Sequence, residues 1–144
     1  MATKVRRNNY LSILQIKADI QIVEQIINVI TSESGNSKYL RGQACYHIQQ
    51  AVEKMIKIQI YSNAAKIEYH KIYDHSIDKL IAYGESLGID MCIPSPIRNS
   101  AYRISGWEAH GRYDAHLVTK MTTIEKFYNI VKVWYDELYS DGYR

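Results

Sequence analysis

Residues 41–57 read RGQACYHIQQAVEKMIK, and the pattern of this stretch decides the fold class. Apolar side chains recur along it at steps of three and four residues, which is the spacing of one face of an α-helix. These apolar positions are Leu40, Ala44, Ile48, Ala51, Met55 and Ile58. The opposite side is polar and consists of Gln43, His47, Gln50, Lys54 and Lys57. The stretch therefore predicts a helix with one dry side, and its polar side either faces solvent or lines a groove.

The same spacing continues on both sides of this stretch. We expect a first helix from about Asn9 to Thr31, capped by Asn8 or Asn9, with an apolar face broad enough to contact two neighbouring helices. The helix that contains residues 41–57 is expected to end near Tyr61. Two long helices joined by a short polar loop lie antiparallel, so the pattern predicts a helical hairpin.

Later segments predict shorter helices. After a connection over residues 62–74, a helix is expected from His75 or Ser76 to about Leu87, with Gly88 ending it. A fourth helix starts with Ser95 as N-cap and Pro96 in its first turn and ends near Gly111. A fifth, capped by Asp114, reaches about residue 139.

Strand patterns and internal repeats are absent from the sequence. We therefore predict an all-α fold, an up-and-down bundle of four to five helices, as one domain over residues 1–144 with its core at about 9–139.

Composition restricts the class of protein. The formal net charge of +3 gives no strong field for a polyanion, although one local patch can still bind phosphate. Cys45 and Cys92 are interpreted as reduced structural residues, and no secretory signal or membrane-spanning run is visible, which favours the cytoplasm. Tyrosine is abundant, at 13 residues, and suits grooves, interfaces or half-buried core edges.

Neither a metal site nor a cofactor motif is expected. The five histidines (His47, His70, His75, His110 and His116) lack the one-turn spacing with an interposed carboxylate that zinc-binding helices use. The polar constellation that remains is Arg103 and His110, seven residues and about 10 Å apart on one helix face at ~1.5 Å per residue. Arginine donates to phosphate oxygens and histidine transfers protons near neutral pH, so this pair suits a phosphodiester. Arg112 and Tyr113 add a second cation and a hydroxyl.

Two segments resemble the HEPN family of bacterial and archaeal helical proteins. Residues 46–57 are similar to the family's second-helix pattern of an aromatic residue, His, Gln, Ala, Glu-Lys and a later Lys. His75 opens a short helix that contains Leu80, and residues 112–114 read RYD where many members read RYPD. Arg103 and His110, with six residues between them, match the family's ribonuclease pattern of Arg, four to six residues, then His.

The resemblance implies a helical bundle that dimerises through the helices flanking a polar cleft. Its members are metal-independent endoribonucleases, toxins paired with a minimal nucleotidyltransferase, and nucleotide- or RNA-binding modules. We expect a homodimer that binds nucleotide or RNA phosphate through His47, Gln50, Lys54, Arg112 and Tyr113. A separate minimal nucleotidyltransferase is the expected partner, in a toxin–antitoxin-like system.

Alternative interpretations remain open at this level. The chain is instead an endoribonuclease toxin if Arg103 and His110 are catalytic, or a structural dimeric adaptor if the dimer surface is itself the function. For each polar group there is also a plainer interpretation. Arg103 and His110 then form a solvated helix edge, and the polar side of residues 41–57 is a solvated face with a Glu53–Lys57 pair.

Overall fold

The structure, a computed structural model, describes residues 4–32, 37–108 and 119–144. The described residues form seven helices: α1 (Ile13–Ser32), α2 (Ser37–Asn63), α3 (Tyr69–Ile72), α4 (Ile77–Ser86), α5 (Ser95–Asn99), α6 (Ala101–Gly106) and α7 (Met121–Ser140). Within these ranges there is no strand, only one isolated bridge between Arg6 and Tyr143. The all-α prediction is therefore confirmed for the described part of the chain.

Helix α2 is the centre of the packing. It packs against α1 along most of its length and also contacts α4, α6 and α7, while α7 contacts α1 as well. The predicted apolar positions of α2 are buried except Leu40, which is partly exposed, and further buried residues lie on its other sides. Trp134 of α7 is fully buried and Trp107 nearly so, which places both in the core.

The start of α1 differs from the prediction. The helix begins at Ile13, four residues after the expected Asn9. The Ser12 hydroxyl accepts the Leu14 N–H at 3.2 Å, and the Gln15 side chain accepts the Ser12 N–H at 2.9 Å. This reciprocal pair is a capping box. The Asn8 side chain instead stabilises the preceding turn, where it accepts the N–H groups of Tyr10 and Leu11.

The predicted fourth helix is interrupted. Pro96 lies in the first turn as expected, but Ser95 is already helical and Pro94 occupies the N-cap position. Ser100, with φ −111° and ψ 14°, separates α5 from α6 and ends the regular helix. The expected end at Gly111 and the expected Asp114 cap lie outside the described residues.

Three other predicted features have clear outcomes. Gly88, at φ +77°, follows the end of α4, which confirms its role as a stop because this conformation favours glycine. The connection over residues 62–74 contains the additional short helix α3. Cys45 and Cys92 are free thiols, as predicted.

None of the described helices is long and apolar enough to cross a membrane.

Candidate functional site

The polar side of α2 does not face solvent uniformly, because two buried carboxylates bind its charged side chains. The first is Asp19 of α1, whose side chain is only 8% exposed. Its two oxygens lie 2.6 Å from Lys54 Nζ and 3.0 Å from His47 Nδ1. We call these three residues the Asp19 cluster. It joins α1 to α2 and neutralises the charge of Lys54 inside the α1–α2 interface.

The second buried carboxylate is Glu53 of α2, with a side chain 6% exposed. It lies 2.8 Å from His75 Nδ1, just before α4, and 3.4 Å from Lys57 Nζ. Gln49 Nε2 also donates to Glu53, at 3.3 Å, and Gln50 Nε2 donates to Gln49. We call Glu53, His75 and Lys57 the Glu53 cluster. The predicted Glu53–Lys57 pair is thus present, but its carboxylate is buried and Lys57 is only partly exposed.

His75 has the geometry of an oriented imidazole. An ionised carboxylate can only accept a hydrogen bond, so the proton of this contact resides on His75 Nδ1. When the ring is neutral, its other nitrogen, Nε2, is then a hydrogen-bond acceptor. The His75 side chain is 61% exposed. Glu53 therefore fixes the tautomer and leaves the outer nitrogen accessible to a ligand.

Four tyrosines form a surface beside the Glu53 cluster. Tyr10 stacks on Tyr61 of α2, with ring centroids 4.9 Å apart. The ring centroids of Tyr69, on α3, and Tyr73 are 4.3 Å apart. Tyr10, Tyr69 and Tyr73 are exposed, whereas Tyr61 is half-buried. We call these four residues the tyrosine surface. It brings together residues from three separate parts of the chain.

Electrostatics show that the tyrosine surface and the Glu53 cluster adjoin. Lys57 Nζ lies 5.8 Å from the centroid of the Tyr73 ring, which is cation–π distance. Burial raises the pKa of Tyr61, and the neighbouring Tyr73, Tyr10 and Glu53 raise it further. The hydrogen bond to Tyr69 raises the pKa of Tyr73, while Lys57 opposes this shift. The result is an aromatic surface bordered by Lys57 of the adjoining Glu53 cluster.

Two arginines, Arg41 and Arg103, lie near Cys45 of α2, apart from the Glu53 cluster. Burial raises the pKa of this thiol, while a hydrogen bond with Thr119 and the charges of Arg103 and Arg41 lower it. Arg103 is exposed on α6 and lies over the Trp107 ring at 5.9 Å. Among the described residues neither arginine forms an ion pair with a carboxylate. In contrast, the nearby Arg98 is bound to Glu85 at 2.7 Å.

The structure brings together only some of the residues predicted from the sequence. His47 and Lys54 meet through Asp19, and Gln50 joins the Glu53 cluster through Gln49. Arg103 lies in the separate group near Cys45. His110, Arg112 and Tyr113 lie outside the described residues, so the geometry of the predicted Arg103–His110 pair stays a prediction.

The sequence pattern does not indicate the residues that organise this region. Asp19 belongs to no motif, although its spacing from Ile16, Ile20 and Val23 places it at the edge of the buried face of α1. His75 was considered only at a helix start. The high tyrosine content suits grooves, interfaces or half-buried core edges, but it does not locate the tyrosine surface, because the members of this surface are up to 63 residues apart.

Comparison with known proteins does not extend these observations. No family model, curated protein or solved structure matches this chain.

Proposed function

We propose that this chain is a HEPN-like helical module that binds nucleotide or RNA in a polar cleft. The observation that carries the proposal is the tyrosine surface beside the Glu53 cluster. Aromatic side chains stack on nucleobases irrespective of sequence, and cations next to them hold the phosphate. Tyr69 and Tyr73 provide exposed rings, and Lys57 provides a donor for phosphate oxygens, while the outer nitrogen of His75 is exposed beside it.

The buried carboxylates limit how much each lysine contributes. Lys54 is paired with Asp19 at 2.6 Å, so its charge is largely neutralised before any ligand arrives. Lys57 shares Glu53 with His75, so a second proton on His75 gives this cluster a net positive charge. We therefore assign most of the binding energy to base stacking and a smaller part to phosphate contacts. This balance suits unpaired bases.

The partner and the oligomeric state are further parts of the proposal. Resemblance to the HEPN family supports a homodimer and a separate minimal nucleotidyltransferase in a toxin–antitoxin-like system. Co-expression with a nucleotidyltransferase encoded beside this chain, followed by affinity purification, tests the partnership. A stable complex with one fixed stoichiometry supports it, whereas elution of the two proteins apart contradicts it.

One observation favours the second candidate function, a metal-independent endoribonuclease. Arg103 is exposed, and its guanidinium has no carboxylate partner within the described residues. In this alternative, an RNA 2′-hydroxyl loses its proton and attacks the adjacent phosphorus, and the P–O5′ bond breaks to give a 2′,3′-cyclic phosphate and a protonated 5′-hydroxyl. His110 acts as the base or as the acid of this step, and Arg103 stabilises the charge on the phosphoryl oxygens. Cleavage of RNA in EDTA that is lost in His110→Ala is the result that identifies this function.

A binding titration tests the primary proposal. A fluorescently labelled oligoadenylate is titrated with the wild type and with the double variant Tyr69→Leu/Tyr73→Leu, and anisotropy is recorded. Because stacking contributes about 1–3 kcal/mol per base, the variant should bind roughly 5-fold to 150-fold more weakly. Tyr102→Leu is the matched control, since Tyr102 is exposed on α6, outside the tyrosine surface.

The same titration uses an abasic phosphodiester of equal length as a second probe. The abasic probe should bind weakly to every variant, because it cannot stack on the rings. Equal affinity of the wild type and the double variant for oligoadenylate contradicts the proposed site. Absence of binding to both probes contradicts the proposed function and leaves the structural dimeric adaptor.

A further inference from the structure

A short parallel bridge between the two ends of the described chain places two arginines side by side. The bridge joins Arg6 to Tyr143. The Arg6 N–H donates to the Gly142 oxygen at 2.7 Å, and the Arg144 N–H donates to the Arg6 oxygen at 3.2 Å. Successive side chains of an extended segment point to opposite sides, so Arg6 and Tyr143 share one side of the bridge. Arg7 and Arg144 therefore share the other side.

Arg7 and Arg144 line one cavity of about 520 Å³ at the beginning of α1. This volume lies within the range of small-ligand sites. Tyr10 and Tyr139 provide aromatic walls, and no aspartate or glutamate of the described residues lines the cavity. We call it the arginine cavity. It combines two cations and two aromatic rings without an anionic side chain.

Neither arginine of the cavity is neutralised by a carboxylate side chain in the described ranges. Arg7 is exposed. The Arg144 Nη1 donates to the backbone oxygens of Tyr139 and Tyr143, both at 2.8 Å, and its guanidinium carbon lies 3.7 Å from the centroid of the Tyr139 ring. These contacts orient the guanidinium but bring no negative charge to it. Because like charges at neighbouring positions repel, an anion between Arg7 and Arg144 stabilises this arrangement.

The beginning of α1 borders the cavity but does not provide its donors. The Gln15 side chain accepts the Ser12 N–H, and the Ser12 hydroxyl accepts the Leu14 N–H. The backbone oxygen of Arg144 accepts the Ile13 N–H at 3.1 Å. These N–H groups are already satisfied, so the donors for a ligand in the cavity are the arginine side chains.

Tyr10 connects the arginine cavity to the tyrosine surface. One face of its ring stacks on Tyr61, with ring centroids 4.9 Å apart, and Tyr10 is 71% exposed. The same residue lines the cavity. A base that stacks on the open face of Tyr10 therefore has the two arginines beside it.

We propose that the arginine cavity binds a terminal phosphate, the phosphomonoester of a mononucleotide or of a phosphorylated RNA end, whose base stacks on Tyr10. A phosphomonoester carries about two negative charges near neutral pH and matches the two arginines, whereas an internal phosphodiester carries only one. The planar fork of a guanidinium also suits paired contacts to phosphate oxygens. Base stacking in this inference rests on the proposed function, while the phosphate contacts depend only on the arginine cavity.

Isothermal titration calorimetry with three matched oligoadenylates tests the cavity. The strands share one sequence and carry a 5′-phosphate, a 3′-phosphate or no terminal phosphate. A terminal phosphate at one of the ends should tighten binding about 10-fold to 100-fold, because charge-assisted hydrogen bonds to the arginines are added. Equal affinity for all three strands overturns the proposal. If the unphosphorylated strand binds in that case, the proposed function stands without this site.

Replacement of Arg7 assigns the gain in affinity to the cavity. Arg7→Gln should remove most of the gain, and its Tm without ligand should not fall below that of the wild type, because one of two like charges is lost. Lys126→Gln is the matched control, since Lys126 is an exposed cation of α7, 13 residues or about 20 Å before Tyr139. A gain that persists in Arg7→Gln overturns the proposal, as does a gain that is lost equally in Lys126→Gln. Loss of the gain in Lys57→Gln alone places the phosphate at the Glu53 cluster and also overturns it.

Titration of AMP and adenosine distinguishes the two sources of the phosphate. AMP that binds as tightly as the phosphorylated strand identifies a mononucleotide, and a strand that binds more tightly than AMP identifies an RNA end. Both results support the cavity if the affinity depends on Arg7. Phosphate-dependent binding that is lost in Arg7→Gln but unchanged in Tyr69→Leu/Tyr73→Leu supports the cavity and contradicts stacking on the latter pair. Failure of the site and failure of the proposed function are thus separate outcomes.

Discussion

Replacement of Asp19 by asparagine is the sharpest test of how the polar side of α2 is organised. The side chain of Asp19 is 8% exposed and holds Lys54 at 2.6 Å and His47 at 3.0 Å. Asparagine keeps the shape but removes the negative charge, so Lys54 remains in the α1–α2 interface without an anion. Breaking a buried ion pair costs about 3–5 kcal/mol, and the partial exposure of Lys54 lowers our expectation to about 2–4 kcal/mol.

A double-mutant cycle isolates the pair from the rest of the site. Lys54→Met removes the cation while keeping the aliphatic stem, so Asp19→Asn/Lys54→Met should lose less stability than the two single variants predict by addition. We expect a coupling free energy of about 1–3 kcal/mol. Urea unfolding is followed by tryptophan fluorescence, because Trp107 and Trp134 are buried and report loss of the core.

The exposed pair Arg98–Glu85 is the matched control for this cycle. Its oxygen and nitrogen lie 2.7 Å apart, as close as those of Asp19 and Lys54, but both side chains are about half exposed. Exposed pairs contribute roughly 0–1 kcal/mol, so the cycle of Arg98→Met with Glu85→Gln should show little coupling. A coupling between Asp19 and Lys54 no larger than that of the control pair would refute the conclusion that Asp19 neutralises Lys54 within the interface.

Three further predictions concern titration, thiol chemistry and backbone conformation. Burial raises the pKa values of Tyr61, Tyr128 and Tyr135 above the ordinary value of 10.0. The folded state therefore favours the neutral phenols, and the stabilisation that this gives below about pH 10 is lost as the pH rises further. Tm should fall above about pH 10, and it should fall less steeply in Tyr61→Phe. Burial also raises the pKa of both thiols, but Cys92 is more accessible than Cys45. An aromatic disulfide reagent should therefore modify Cys92 first and Cys45 only on unfolding. Equal rates of modification by mass spectrometry would contradict this order. Gly88→Ala should lower the free energy of unfolding by about 1–2 kcal/mol because φ is +77°, and an unchanged urea midpoint would contradict that reason.

Parts of the fold that depend on local sequence were predictable. The spacing of apolar residues located α2, and Gly88 marked the end of α4, because both depend on residues close in the chain. The Ser12–Gln15 capping box was also visible as Ser followed three residues later by Gln, and the start of α1 was misplaced because Asn8 and Asn9 are equally good caps by type. The break at Ser100 has no comparable sequence marker.

The site was much less predictable, because its contacts join distant residues. Asp19 meets His47 and Lys54 from another helix, 28 and 35 positions along the chain, and Glu53 meets His75 at 22 positions. Which polar side chains of α2 contact a buried carboxylate depends on the orientation of α1 and α4 about their own axes relative to α2. Periodicity alone cannot determine that rotation, so it left open whether the polar side of α2 meets solvent or a cleft.

The proposed stacking of unpaired bases on the tyrosine surface is open to photochemical cross-linking, because a stacked base lies in contact with the tyrosine ring. Oligouridylate bound to the wild type is irradiated with ultraviolet light, and the modified peptides are identified by mass spectrometry. We expect cross-links at Tyr69 and Tyr73, with loss of cross-linked product in Tyr69→Leu/Tyr73→Leu. Cross-links that map to Tyr102 or Tyr139, with Tyr69 and Tyr73 unmodified, would contradict it.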